Sequence, residues 1–100
     1  MKIVTAIVRT TTLDRIVKAF EDIGIKGMTL SDVKGIGEQV EVFQLYVIHK
    51  RIDIIVPDER VNEVTSVIVE NGHTGFAGDG LIAVHPIDYM IKIRTKEKIE

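Results

Sequence analysis

There is no cysteine and no tryptophan among the 100 residues, and proline occurs only twice. Without thiols the chain has no disulfide, no cysteine-ligated zinc or iron–sulfur centre and no thiol nucleophile, which agrees with a reducing, cytoplasmic setting. Aromatic residues are scarce, three Phe and two Tyr. The core must therefore be assembled from Ile, Val and Leu, which suit a sheet. No apolar run approaches the roughly 20 residues of a membrane helix. Met1-Lys2-Ile3-Val4 leads straight into a strand-like pattern, without the hallmarks of a secretory signal. A soluble, cytoplasmic chain with no direct membrane insertion is expected. Positive charge is not in excess, at 13 basic against 15 acidic residues, and the isoelectric point is near 5.9. A nucleic-acid partner, which would need a basic face, is not expected. Serine is limited to Ser31 and Ser66, and His49, His73 and His85 lack metal-ligand spacing. Nothing assembles a nucleophile, a base and an oxyanion hole, so neither catalysis nor a metal site is expected.

What remains is an aliphatic chain, 45% apolar, long enough for one core and too short for two. Residues 1–100 are read as a single domain. Lys2 to Arg9, rich in Ile and Val, reads as a strand. Thr12 is placed to cap a helix whose apolar stripe is Leu13, Ile16, Val17, Phe20 and Ile23, and Gly24 supplies its stop. Met28 to Val33 reads as a second strand. A third is expected from Val40 through Val56, where Pro57 ends it and Asp58 caps a second helix. That helix presents Val61, Val64, Thr65, Ile68 and Val69 and ends at Asn71-Gly72. Leu81 to Val84 is a fourth strand, and Ile91 to Thr95 a short last one. The order βαββαβ points to an α+β class: a ferredoxin-like sandwich, an antiparallel sheet with two helices on one face. Its other face, rich in Ile and Val, needs a cover, and a second copy is the simplest.

Three constellations invite a functional reading. Thr74-Gly75-Phe76-Ala77-Gly78-Asp79-Gly80 places three glycines where backbone amides can approach a ligand, a concavity suited to phosphate oxygens. It lacks the Gly-Lys-Ser/Thr end of a P-loop, and a helix-to-strand connection would use the same residues. Gly35-Ile36-Gly37 serves equally as a hairpin corner or a ligand contact. Lys92 and Arg94, at alternate strand positions, either clamp an anion or form a solvated charged edge.

Taken in order, three segments resemble the PII family of signalling proteins over nearly the whole chain. They are Ile25-Lys26-Gly27-Met28-Thr29 leading to Val33-Lys34-Gly35-Ile36-Gly37; Arg51-Ile52-Asp53-Ile54-Ile55-Val56-Pro57-Asp58; and Thr74-Gly75 with Gly78-Asp79-Gly80, followed by Ile91-Lys92-Ile93-Arg94-Thr95. The resemblance implies a homotrimer with a nucleotide in each cleft between neighbouring subunits. It implies that Ile7, Gly27, Met28 and Thr29 surround the nucleoside, that Ile55 also contacts the nucleotide, and that Gly35, Ile36 and Gly37 lie at the base of a signalling loop. It also implies that Gly78, Asp79 and Gly80 wrap the phosphates, and that Lys92 and Arg94 reach them from the neighbour. Gln39 matches a glutamine that helps hold magnesium and 2-oxoglutarate.

The departures from the family pattern give a direction. The signalling loop, about 36–45, is shortened, and Tyr46 falls at a strand position, so modification of a loop tyrosine is not expected. Cations of the family are replaced by Glu38, His49 and Leu81. At about 4 Å and an effective dielectric of about 20, one cation–phosphate contact has a gross Coulomb energy of roughly 4 kcal/mol, before desolvation offsets it. The losses should weaken a third phosphate most. AMP or ADP is therefore expected ahead of ATP, and 2-oxoglutarate is in doubt. By resemblance the chain regulates a membrane transporter or a metabolic enzyme, with nitrogen regulation the default pathway. The alternatives are a scaffold trimer without nucleotide and a metal-associated trimer of the same architecture.

Overall fold

A computed structural model describes residues 1–35 and 47–100, with the backbone alone for Val47. The elements are β1 (Lys2–Arg9), α1 (Leu13–Asp22), β2 (Thr29–Gly35), β3 (Val47–Val56), α2 (Val61–Gly72), β4 (Gly80–Pro86), β5 (Met90–Ile91) and β6 (Lys98–Ile99). The four long strands form an antiparallel sheet in the order β2-β3-β1-β4, the arrangement of the ferredoxin-like fold. β5 and β6 make a separate hairpin. The part of the third strand expected before Val47, with Glu38, Gln39 and Tyr46, lies outside the described residues.

Alternation along the strands decides which face is buried. Val4, Ala6 and Val8 of β1 and Ile52, Ile54 and Val56 of β3 share one face and are almost fully buried. Against them pack Ile16 and Phe20 of α1 and Val64 and Ile68 of α2. Phe20 is the largest fully buried side chain, so one of the few aromatics sits at the centre of the core. In α2 the apolar stripe departs from expectation. Val67 packs against the core, whereas Val69 is 55% exposed.

The helix ends also differ from the sequence reading. Both helices are preceded by a 3-10 turn, Thr10–Thr12 and Asp58–Arg60; α1 still begins at Leu13 as expected, whereas the start of α2 moves to Val61. Thr12 is buried and donates its hydroxyl to the Arg9 carbonyl at 3.1 Å, so it closes the strand-to-helix turn instead of capping an amide. Asp58 accepts from the Met1 amine at 2.5 Å and caps neither turn nor helix. The stop at Gly24 is as expected. With φ +79° there, Ile25 N–H reaches the Phe20 carbonyl and Gly24 N–H the Glu21 carbonyl, a Schellman motif whose flanking residues Phe20 and Ile25 are both buried. The helices run antiparallel and strap each other. Arg15 of α1 donates to the Asn71 carbonyl at the end of α2, and Arg60 donates to the Ile23 carbonyl at the end of α1.

The opposite sheet face is open in the single chain. Across it, in register, run Arg51–Ile7–Leu81, then Asp53–Thr5–Ala83, then Ile55–Ile3–His85. Ile55 and Leu81 are 45% and 60% exposed. A polar island interrupts the apolar surface. Thr5 Oγ1 donates to Asp53 at 2.7 Å, and Arg51 Nε pairs with the same carboxylate at 2.9 Å.

Candidate functional site

The glycine-rich segment joins α2 to β4 at the sheet end where β1 finishes, because Val8 pairs with Gly80. Gly80 has φ +107°, and a Cβ there would stand 1.8 Å from the Ile7 carbonyl oxygen. Only glycine permits the chain to enter β4 this close to β1. Gly75 and Gly78 also have positive φ, +87° and +96°.

Inside the segment the chain folds around the carboxylate of Asp79. The backbone amides of Thr74 and Gly75 donate to it at 2.8 and 2.9 Å, the Thr74 hydroxyl donates as well, and Arg9 Nε approaches at 2.9 Å. The hydroxyl and amide of Thr74, together with Arg9, hold the Asp79 carboxyl well below the usual carboxylate range. The first two amides of the expected cradle therefore serve Asp79 itself. The same guanidinium donates through Nη2 to the Ala77 carbonyl at 2.5 Å and more weakly to that of Phe76 at 3.4 Å. His49 Nε2 lies 3.0 Å from the Gly78 carbonyl. Beside the loop a cavity of about 330 Å³ opens between the end of α2, at Ile68, Val69 and Gly72, and the start of β4, at Gly80 and Leu81.

The candidate residues separate into groups. Ile7, Gly80 and Leu81 are neighbours through the β1–β4 register, with Gly78 and Asp79 just before them. Thr29 and Gly35 begin and end β2, the other edge of the sheet. With β3 and β1 between them, the two edges stand about 14 Å apart. Gly27 precedes β2, and Met28 packs partly into the core. Ile55 is exposed on the open face toward the far end of β3. Lys92 and Arg94 lie beyond β4, whose seven residues from Gly80 to Pro86 span about 20 Å. Met90, two residues before Lys92, lines a cavity with Met1, Val56 and Pro57, at the sheet end away from the glycine-rich segment. Ile36, Gly37 and Gln39 fall outside the described residues.

The strand expected over Ile91 to Thr95 is not present. β5 ends at Ile91, Lys92 N–H donates to the Glu97 carbonyl, and residues 93–95 turn the chain back toward β6. Lys96 takes φ +61° to complete that turn. Strand alternation therefore gives no common face to Lys92 and Arg94. Sequence reasoning missed Arg9 as part of the site. It is one cation at the end of a strand, and only the β1–β4 register sets it beside the loop.

A family model described as Nitrogen regulatory protein P-II matches residues 1–97. The chain is 35% identical over 109 aligned positions to a nitrogen regulatory protein P-II of Haemophilus influenzae, covering all of this chain and 97% of that protein. It is 34% identical to a nitrogen regulatory protein P-II of Azospirillum brasilense, covering 98% and 96% of the two chains. It is also 34% identical to the nitrogen regulatory protein GlnK of Escherichia coli, covering 100% and 97%. Among the described residues no helix is long and apolar enough to cross a membrane.

Proposed function

Because the chain belongs to the nitrogen regulatory protein P-II family, we propose that it is a cytoplasmic signalling protein of nitrogen regulation that works as a homotrimer. It binds an adenine nucleotide, AMP or ADP ahead of ATP, in clefts between subunits, and regulates a partner transporter or metabolic enzyme. Its role is regulatory, and no catalysis is assigned to it.

The observation that carries this reading is the division of the candidate residues. Gly78–Gly80 stand at one edge and one end of the sheet with Ile7 on the neighbouring strand, Thr29 lies at the other edge, and Lys92 and Arg94 follow β4 beyond the other end. A site using all of them needs two copies of the chain. The open face with Ile3, Ile7, Ile55 and Leu81 offers an apolar surface for that association. Leu81 occupies the first position after the loop, where a cation would favour a third phosphate. The alignment to the Haemophilus influenzae protein runs over 109 positions against 100 residues here. Nine positions are thus gaps in this chain, which is in keeping with a shortened signalling loop.

Isothermal titration with AMP, ADP and Mg-ATP, on protein whose mass is followed by sedimentation velocity, tests the reading. A species of about three chain masses that binds ADP more tightly than Mg-ATP is expected. A monomer, or tight Mg-ATP binding enhanced by 2-oxoglutarate, would overturn it. A scaffold trimer without nucleotide is the second reading, and one observation favours it: the Asp79 carboxylate already occupies the Thr74 and Gly75 amides. Trimers that bind none of the three nucleotides would establish it.

A further inference from the structure

Three successive carbonyls of the glycine-rich loop are held from one side. Arg9 Nη2 takes those of Phe76 and Ala77, and His49 Nε2 lies at that of Gly78. In a trans peptide the carbonyl of one residue and the N–H of the next point in opposite directions. Holding these three carbonyls toward β1 and β3 therefore turns the N–H groups of Ala77, Gly78 and Asp79 the other way. The arginine is itself fixed, since its Nε pairs with Asp79 at 2.9 Å, and Asp79 in turn gathers the Thr74 and Gly75 amides. The guanidinium also lies close beneath the loop, with Nη2 3.3 Å from where a Cβ on residue 78 would stand.

We propose that Arg9 and His49 are positioning residues that clamp the carbonyl side of Phe76–Gly78 and so present the amides of Ala77 and Asp79 to an anion on the opposite side. This rests on the phosphate-binding reading of the loop and deepens it. Arg9, a cation beside the loop, acts here through the backbone. The fork of the guanidinium is what the task needs, because one side chain serves a carboxylate and two carbonyls at once. At residue 49 any donor that reaches the Gly78 carbonyl suffices, and no charge is required.

The variants follow from that distinction. Arg9→Gln should weaken ADP binding about tenfold, and Arg9→Lys should fall nearer to it than to wild type, because a single ammonium loses the fork. His49→Gln should stay within about twofold of wild type and His49→Leu should not, because only glutamine keeps a donor for the carbonyl. The second readout is the amide spectrum of 15N-labelled protein. ADP should shift the Ala77 and Asp79 amides of wild type, and Arg9→Gln should displace the same amides without ligand while core amides stay in place. If Arg9→Lys restores full affinity, or if the loop amides ignore the Arg9 substitutions, Arg9 is a direct phosphate contact or has no part, and the clamp is refuted. ADP binding that leaves Ala77 and Asp79 unmoved also refutes the clamp while the nucleotide reading stands. If no nucleotide binds, that reading fails, and titration with inorganic pyrophosphate decides the clamp by the same amide shifts.

Discussion

The carbonyl oxygen of Ile7 lies 1.8 Å from the point where a β-carbon on Gly80 would have to stand. The two residues belong to adjacent antiparallel strands, so neither can withdraw without opening the β1–β4 ladder where the glycine-rich loop joins it. Gly80→Ala should cost at least about 2 kcal/mol, from the clash together with the positive φ. Urea denaturation gives that figure, and an unchanged midpoint would show that the strands part easily here.

Phe20 tests the core. It is fully buried, it meets both helices and the sheet through the core cluster, and its carbonyl closes the Schellman turn with Ile25. Phe20→Ala should destabilise the protein by about 3–5 kcal/mol. A loss below about 1 kcal/mol would mean that the core collapses around the cavity.

Leu81 tests the discrimination between nucleotides. It is 60% exposed and begins β4 immediately after the loop. Leu81→Lys should raise ATP affinity relative to ADP by about tenfold, since part of the gross Coulomb energy survives desolvation. Competition binding of the two nucleotides reads the ratio. A ratio equal to wild type would show that residue 81 does not face the third phosphate.

How much of this was legible without coordinates differs by element. The strand and helix patterns were readable because burial imposes periods of two and 3.6, as Val4-Ala6-Val8 and Ile16-Phe20 show. Gly24 was readable because a left-handed stop has few alternatives. Thr12 misled because, as the last residue of a 3-10 turn, it spends its hydroxyl on the Arg9 carbonyl, and Asp58 misled because a 3-10 turn separates it from the start of α2. The strand expected over Ile91 to Thr95 misled because β5 stops at Ile91, so no alternation reaches Lys92 and Arg94. Arg9 was invisible because its role depends on strands distant in sequence.

The pH response of the loop follows from Asp79. Thr74, Gly75 and Arg9 stabilise its charged form, so its pKa in the folded chain lies below that of the unfolded chain. Its contribution is complete above the ordinary carboxylate range, near pH 3.9. That contribution disappears only as pH falls through the lower, folded value. Amide exchange at Thr74 and Gly75 should stay slow through mild acid, and Asp79→Asn should accelerate it at neutral pH. Equal exchange in the variant would show that the carboxylate is not what holds those amides.

The two straps between the helices obey a different rule. Arg15 and Arg60 end on the backbone carbonyls of Asn71 and Ile23, which have no proton to gain, and a guanidinium does not release one in the accessible range. The link of Asp53 to Arg51 on the sheet, like that of Asp79 to Arg9, needs an ionised carboxylate. Acid therefore reaches these ion pairs through their carboxylates, while the carbonyls that receive the two straps offer it nothing to protonate.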